Sequence, residues 1–133
     1  MTATDRQTIT ATIREALAVL YEPGQVIELR IPKVDNKKRT DSGYFTDHGQ
    51  LATAAQKYDG RASGVYVTIN PVDLALLARA KNRVKEWAEL TTSDEYIARR
   101  RWLLIDCDPT VNGKKRPAGI SSTEQEHGAA IDK

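Results

Sequence analysis

Two carboxylates one residue apart, Asp106 and Asp108, follow the most apolar stretch of the chain, Trp102-Leu103-Leu104-Ile105, and precede Pro109. Trp102 to Cys107 reads as a buried strand. Side chains alternate along a strand, so Asp106 and Asp108 project to one side and Cys107 to the other. Their α-carbons then stand roughly 6–7 Å apart, from a rise of about 3.3 Å per residue. Carboxylates that close repel unless a cation neutralises them. Mg²⁺ commonly takes one or two carboxylates together with substrate phosphates. Pro109 ends the strand and leaves the pair at its carboxyl edge, where open α/β sheets bind ligands. The spacing therefore makes Asp106 and Asp108 candidate ligands of Mg²⁺ or Mn²⁺ in a phosphate-handling site. The alternative is a pair of acids that cap a strand and the turn after it.

Other residues bear on the same chemistry. Basic residues cluster in Lys37-Lys38-Arg39, in Arg99-Arg100-Arg101 and in Lys114-Lys115-Arg116. Such clusters neutralise phosphates, or they are solvated loops and strand ends. Ser121, Ser122 and Thr123 place small hydroxyl residues at the start of a helix, a ready anion site, with ordinary capping ahead of Glu124 and Gln125 as the other reading. Trp102 and Tyr66 are either base-stacking platforms or core residues of buried strands. His127 falls on the last expected helix and reads as a surface or packing histidine. Cys107 is the single cysteine, which excludes an internal disulfide framework and a cysteine-based zinc site.

The elements that must carry these residues alternate between helical and extended patterns. Thr4 and Gln7 have capping-box spacing, and Ile9, Ile13, Ala16, Leu17 and Leu20 share one face of a helix that Pro23-Gly24 stops. Val26 to Ile31 alternates, predicting a strand with Glu28 and Arg30 on a wet face. Pro32 to Gly43 has no period and predicts a loop or exposed hairpin. Asp47 and Gln50 open a short helix through Leu51, Ala54, Ala55 and Tyr58, ended by Asp59-Gly60. Val65 to Asn70 predicts a strand, after which Asn70 and Pro71 have the pattern of a helix start. Residues 83–98 fit no single pattern, and Ser121 to Glu124 opens the final helix.

Composition bounds the rest. The 133 residues suffice for one domain. Hydrophobic residues at 40% and charged residues at 29% make an ordinary globular balance, and a net charge of +2 is too small to imply nucleic acid by itself. No apolar run approaches the roughly 18 residues that cross a bilayer. Met1 to Arg14 is polar and helix-like rather than a secretory signal, so a cytoplasmic location is the expectation.

Four segments taken together carry a resemblance: Gly64-Val65-Tyr66-Val67-Thr68-Ile69-Asn70-Pro71, Leu76-Leu77-Ala78-Arg79-Ala80, Arg100 to Pro109, and Arg116-Pro117-Ala118-Gly119-Ile120-Ser121-Ser122-Thr123. In order and spacing they resemble the primase–polymerase domain of phage and mobile-element replication proteins, within the archaeo-eukaryotic primase superfamily. The likeness runs over roughly residues 10 to 133. It implies an α/β (α+β) fold with a mixed sheet flanked by helices, of which this chain is the N-terminal, apparently truncated, portion. It implies DNA template and primer, nucleoside triphosphates and a fused or separate helicase as partners. Asp106 and Asp108 would be the first catalytic motif, ligating Mg²⁺ or Mn²⁺ for nucleotidyl transfer. Arg116, Ser121, Ser122 and Thr123 would approach the nucleotide phosphates, and Lys37, Lys38, Arg39, Arg99, Arg100 and Arg101 the nucleic acid. The family's histidine motif and third acid are not visible, so these 133 residues alone are expected to make no primer. A non-catalytic replication accessory protein is the rival reading. The Asp106-Cys107-Asp108-Pro109-Thr110 run also matches the nucleophile motif of haloacid-dehalogenase-like phosphatases, a weaker likeness.

Overall fold

The computed structural model describes residues 1–106, 110–111, 114–115, 123–125 and 128. The chain divides into two compact units, Met1–Trp102 and Leu103–Lys133. In the first, helix α1 spans Ala3–Leu20. Its cap is reciprocal: the Thr2 hydroxyl accepts the Asp5 N–H at 3.1 Å, and the Asp5 carboxylate accepts the Thr2 N–H at 2.8 Å. The capping box thus lies two residues before the expected Thr4–Gln7 pair. Tyr21 is extended and Gly24 takes φ +82°, which ends the helix near the predicted stop. Helix α2, His48–Lys57, starts where the sequence predicts, with the Asp47 carboxylate accepting the Gln50 N–H at 2.8 Å.

Four strands form one sheet: β1 (Ile27–Pro32), β2 (Thr40–Phe45), β3 (Tyr66–Val67) and β4 (Val84–Lys85), in the order β3-β1-β2-β4. Each neighbouring pair is antiparallel. The α+β expectation is met, but this sheet is antiparallel rather than mixed. The centre is a hairpin with Ile27 opposite Phe45 and Pro32 opposite Thr40. Its connection includes a turn with Lys33, Asp35 and Asn36 at positive φ. Such backbone is costly for a lysine. Burial of Val34 and the Asp35–Arg61 pair, bonded at 3.2 and 3.0 Å, hold it in place.

Period-two alternation divides the sheet between two layers. Ile27, Leu29, Ile31 and Phe45 meet Leu17 and Tyr21 of the α1 end, and Leu51, Ala55 and Tyr58 of the α2 region. On the opposite face Val26 and Tyr44 pack with Val72, Leu76 and Ala80. That second layer is irregular chain tied down by main-chain bonds, Val72 N–H to the Val26 carbonyl at 2.9 Å and Asp73 N–H to the Tyr96 carbonyl at 2.7 Å.

Two expectations change at the hairpin. The Glu28 side of β1 is not wet: Glu28 is fully buried, because residues 70–97 cover it. The hairpin after Pro32 is exposed only at its tip, at Lys33 and Asp35 to Lys38, while Val34, Arg39 and Asp41 are buried. The expected strand Val65–Asn70 is confined to Tyr66–Val67, and the helix expected after Asn70 is a short 3-10 turn, Leu74–Ala78, capped by Asp73. Trp102 to Ile105 forms no strand, and Leu103, Leu104 and Ile105 are exposed rather than buried. A strand needs a neighbour to pair its N–H and C=O groups, and among the described residues none is paired with this segment. In the second unit, Thr110–Val111 (β5) pairs antiparallel with Lys114–Lys115 (β6). No helix among the described residues is long and apolar enough to cross a membrane.

Candidate functional site

Asp106 is exposed and lies outside any strand. Asp108, Arg116, Ser121 and Ser122 lie outside the described residues, and Thr123 is exposed. Among the described residues no group of three or more His, Cys, Asp or Glu side chains is arranged to hold a metal.

What the structure does define is how the chain is held just before the acids. Asn70, 8% exposed, turns its amide toward the main chain of Arg101 and Trp102. Its carbonyl oxygen accepts both N–H groups at 2.8 Å, and its amide nitrogen donates to the Trp102 carbonyl at 3.0 Å. The helix-cap role expected of Asn70 is thereby replaced by a long-range clamp. The Trp102 indole N–H donates to the Leu20 carbonyl at 2.7 Å, satisfying one of the carbonyls left over at the end of α1. Arg101 stacks on that indole with its guanidinium carbon 5.6 Å from the ring centroid, and pairs with Glu22 at 3.4 Å. Trp102 is therefore a tether. Tyr66 remains largely exposed on the β3 edge.

The basic residues separate by environment. Lys37, Lys38, Arg99 and Arg100 are exposed and form no salt bridge among the described residues. Arg39, expected with the DNA-facing cations, is instead buried. Its guanidinium is bidentate to Asp41 at 2.6 and 2.6 Å, touches Glu86 at 3.1 Å and stacks over Trp87. Bidentate arginine–carboxylate pairing in a site shielded from water leaves little capacity for a phosphate.

Two buried carboxylates organise the sheet. Asp41 also accepts the Tyr58 hydroxyl at 2.9 Å and the Trp87 N–H at 3.0 Å. Glu28 accepts Arg30 at 2.9 Å, the Ser42 hydroxyl at 2.7 Å and the Thr92 N–H at 3.1 Å. Burial pushes both carboxyls up, but the hydrogen bonds outweigh it. Those from Arg30, Ser42 and Thr92 hold Glu28 below its ordinary 4.5, and those from Arg39, Trp87 and Tyr58 hold Asp41 below its ordinary 3.8. A carboxyl with a lowered folded-state pKa binds its proton more readily when unfolded. Its stabilisation is therefore complete above the ordinary value and is lost as pH falls through the folded one. Unfolding midpoints in urea should stay flat from neutral pH to about pH 5 and fall below pH 4.5. The Glu28→Gln variant should fall less steeply, and an equal fall in both proteins would remove Glu28 from this account.

Sequence reading missed these networks and the clamp. Each joins residues far apart in the chain, such as Glu28 with Thr92 and Asn70 with Trp102, and no local pattern marks such partners. The alternation of Glu28 with Arg30 was the visible half of one of them. No protein-family model, curated protein or solved structure matches the chain.

Proposed function

We propose that this chain is part of a metal-dependent DNA primase–polymerase module, in which Asp106 and Asp108 hold Mg²⁺ or Mn²⁺ against the phosphates of an incoming nucleoside triphosphate. The Asn70 clamp is the observation that carries the reading. A buried amide with three bonds to Arg101 and Trp102 fixes the main chain four residues before Asp106. The same segment ties Trp102 to the end of α1, and its next residues, Leu103 to Ile105, are exposed. A site that must present carboxylates reproducibly does need its supporting chain locked. Exposed Arg99 and Arg100 directly before the clamp add positive charge where a polynucleotide would approach. The chemistry is in-line displacement at the α-phosphate. The primer hydroxyl oxygen forms the new P–O bond and loses its proton, and pyrophosphate leaves.

The metal site is testable by itself. Calorimetric titration with Mn²⁺ should show binding that the Asp106→Ala/Asp108→Ala double variant weakens at least tenfold, and dTTP should tighten Mn²⁺ binding only to the unsubstituted protein. Equal Mn²⁺ affinity in both proteins would sink the reading and favour the non-catalytic accessory role.

A further inference from the structure

We infer that the outer edge of β3 pairs antiparallel with the same edge of a second copy of this chain, about a two-fold axis at Tyr66. The inference is independent of the metal reading, since it uses only residues 64–68.

The sheet ends in two edges, β3 and β4. Along β3 the Thr68 N–H donates to the Glu28 carbonyl at 3.2 Å, and Tyr66 stands opposite Arg30. Main-chain groups alternate in direction along an antiparallel ladder. Val65 and Val67 therefore turn their N–H and C=O groups away from β1, and no strand among the described residues meets them. A row of unpaired main-chain groups is a template for another strand.

The two edges differ in how they are defended. Arg83, Lys85 and Glu86 put exposed charges along β4, which discourages pairing there. β3 has no such defence. Residues 62–72 carry no charge in a chain of which 29% is charged, and Val65-Tyr66-Val67-Thr68 is an unbroken β-branched and aromatic run. Val65 and Tyr66 are exposed. The Tyr66 ring lies over Gly64, where an added β-carbon would collide with it. The ring thus runs along its own strand and leaves the outer main chain clear.

Symmetry and charge identify the occupant as a second copy. An antiparallel edge is its own complement under a two-fold axis, so a neutral edge needs only a copy of itself. An axis at Tyr66 sets Val65 of one copy against Val67 of the other, and each such pair exchanges both N–H···O bonds. The two Tyr66 side chains then face each other at the closer, non-hydrogen-bonded position, where aromatic pairs are favourable. No like charges meet, because none lies in the paired segment. Paired edges this short fall at the low end of interface size, below roughly 1,200 Å², so the dimer forms reversibly with concentration.

Sedimentation equilibrium of the full chain over a concentration series should show a monomer–dimer equilibrium. Val67→Pro removes an N–H that points outward and none that the fold uses. Two such donors are lost per dimer, so association should weaken by about tenfold or more while circular dichroism stays that of the parent. Tyr66→Glu and Tyr66→Lys each set like charges directly opposite one another, and each variant alone should be monomeric. Mixing the two should restore a dimer, because opposite charges then face across the axis. That rescue separates loss of pairing from loss of folding. A chain that stays monomeric at every concentration would overturn the inference, as would a mixture of the Tyr66 variants that fails to associate. Dimerisation unaffected by all of these substitutions would place the interface elsewhere and do the same. A monomer whose Val65 and Val67 amides resist hydrogen exchange would mean that a segment of the same chain covers the edge, which removes the second copy as occupant.

Discussion

Asp41→Ala is expected to lower the unfolding free energy by about 3–5 kcal/mol, the cost of leaving a buried charge without its partner. The side chain is fully buried and accepts four hydrogen bonds, two from Arg39 and one each from Tyr58 and Trp87. Removing it leaves the guanidinium with Glu86 as its one carboxylate and strands a phenol and a main-chain N–H. Domains of this size are stable by about 5–15 kcal/mol, so the variant should lose a large fraction of the total. Urea denaturation followed by tryptophan fluorescence is suited to the measurement, because Trp87 lies against Arg39. Replacing both charges, Arg39→Met with Asp41→Leu, should recover part of the loss, since a matched apolar pair has no desolvation cost to offset. If Asp41→Ala alone costs under about 1 kcal/mol, the pair behaves as an ordinary surface salt bridge and the packing of β2 has been misjudged.

Gly43→Ala should be the other severe substitution, with a spatially confined effect. Gly43 pairs with Val84, and an added β-carbon would collide with the Arg83 carbonyl oxygen and stand 2.9 Å from its carbon. The obstacle is main chain, so no side-chain rotation relieves it. Overpacking typically costs about 1–3 kcal/mol. Here the two-residue β4 is the cheaper element to displace, because it is an edge strand with few ladder bonds. Amide hydrogen exchange should therefore accelerate at residues 82–86 and remain slow at Leu29 and Ile31. Exchange that rises uniformly over the whole sheet would mean that β4 is not separable from the hairpin.

Much of the α-helical layer was legible in the sequence, and the reason is locality. The Asp47–Gln50 cap and the apolar spacing of Leu51 and Ala55 each lie within one helical turn, where propensity and periodicity operate. The cap of α1 lies two residues before the expected one because Thr2 with Asp5 and Thr4 with Gln7 have the same spacing, and only the folded structure distinguishes them. The second layer was not legible. Residues 70–97 carry too few regular elements to show a period, so nothing in β1 announced that Glu28 would be covered. Trp102 to Ile105 failed for the opposite reason. Its composition is that of a buried strand, but composition supplies no partner, and burial is a property of what surrounds a segment. As for the candidate site, the spacing of Asp106 and Asp108 was visible at once, whereas the Asn70 clamp depends on contacts over 31 and 32 residues.

The two buried carboxylates sit on opposite faces of the hairpin, Glu28 toward the irregular layer and Asp41 toward the helices. Strand side chains repeat every two residues, so sliding one strand by a single position exchanges its faces. A slip of β1 would turn Glu28 toward Leu17 and Leu51 and away from Ser42 and Thr92. A slip of β2 would swing Asp41 away from Tyr58. Each misaligned hairpin thus carries an unmatched acid into the wrong layer, and the penalty comes independently from either strand. Apolar residues alone would discriminate less sharply, because Ile31 and Val26 are interchangeable in oil but Glu28 and Leu29 are not. The pair of acids therefore acts as a two-key lock on strand alignment, engaged once the helices and residues 70–97 close over the two faces.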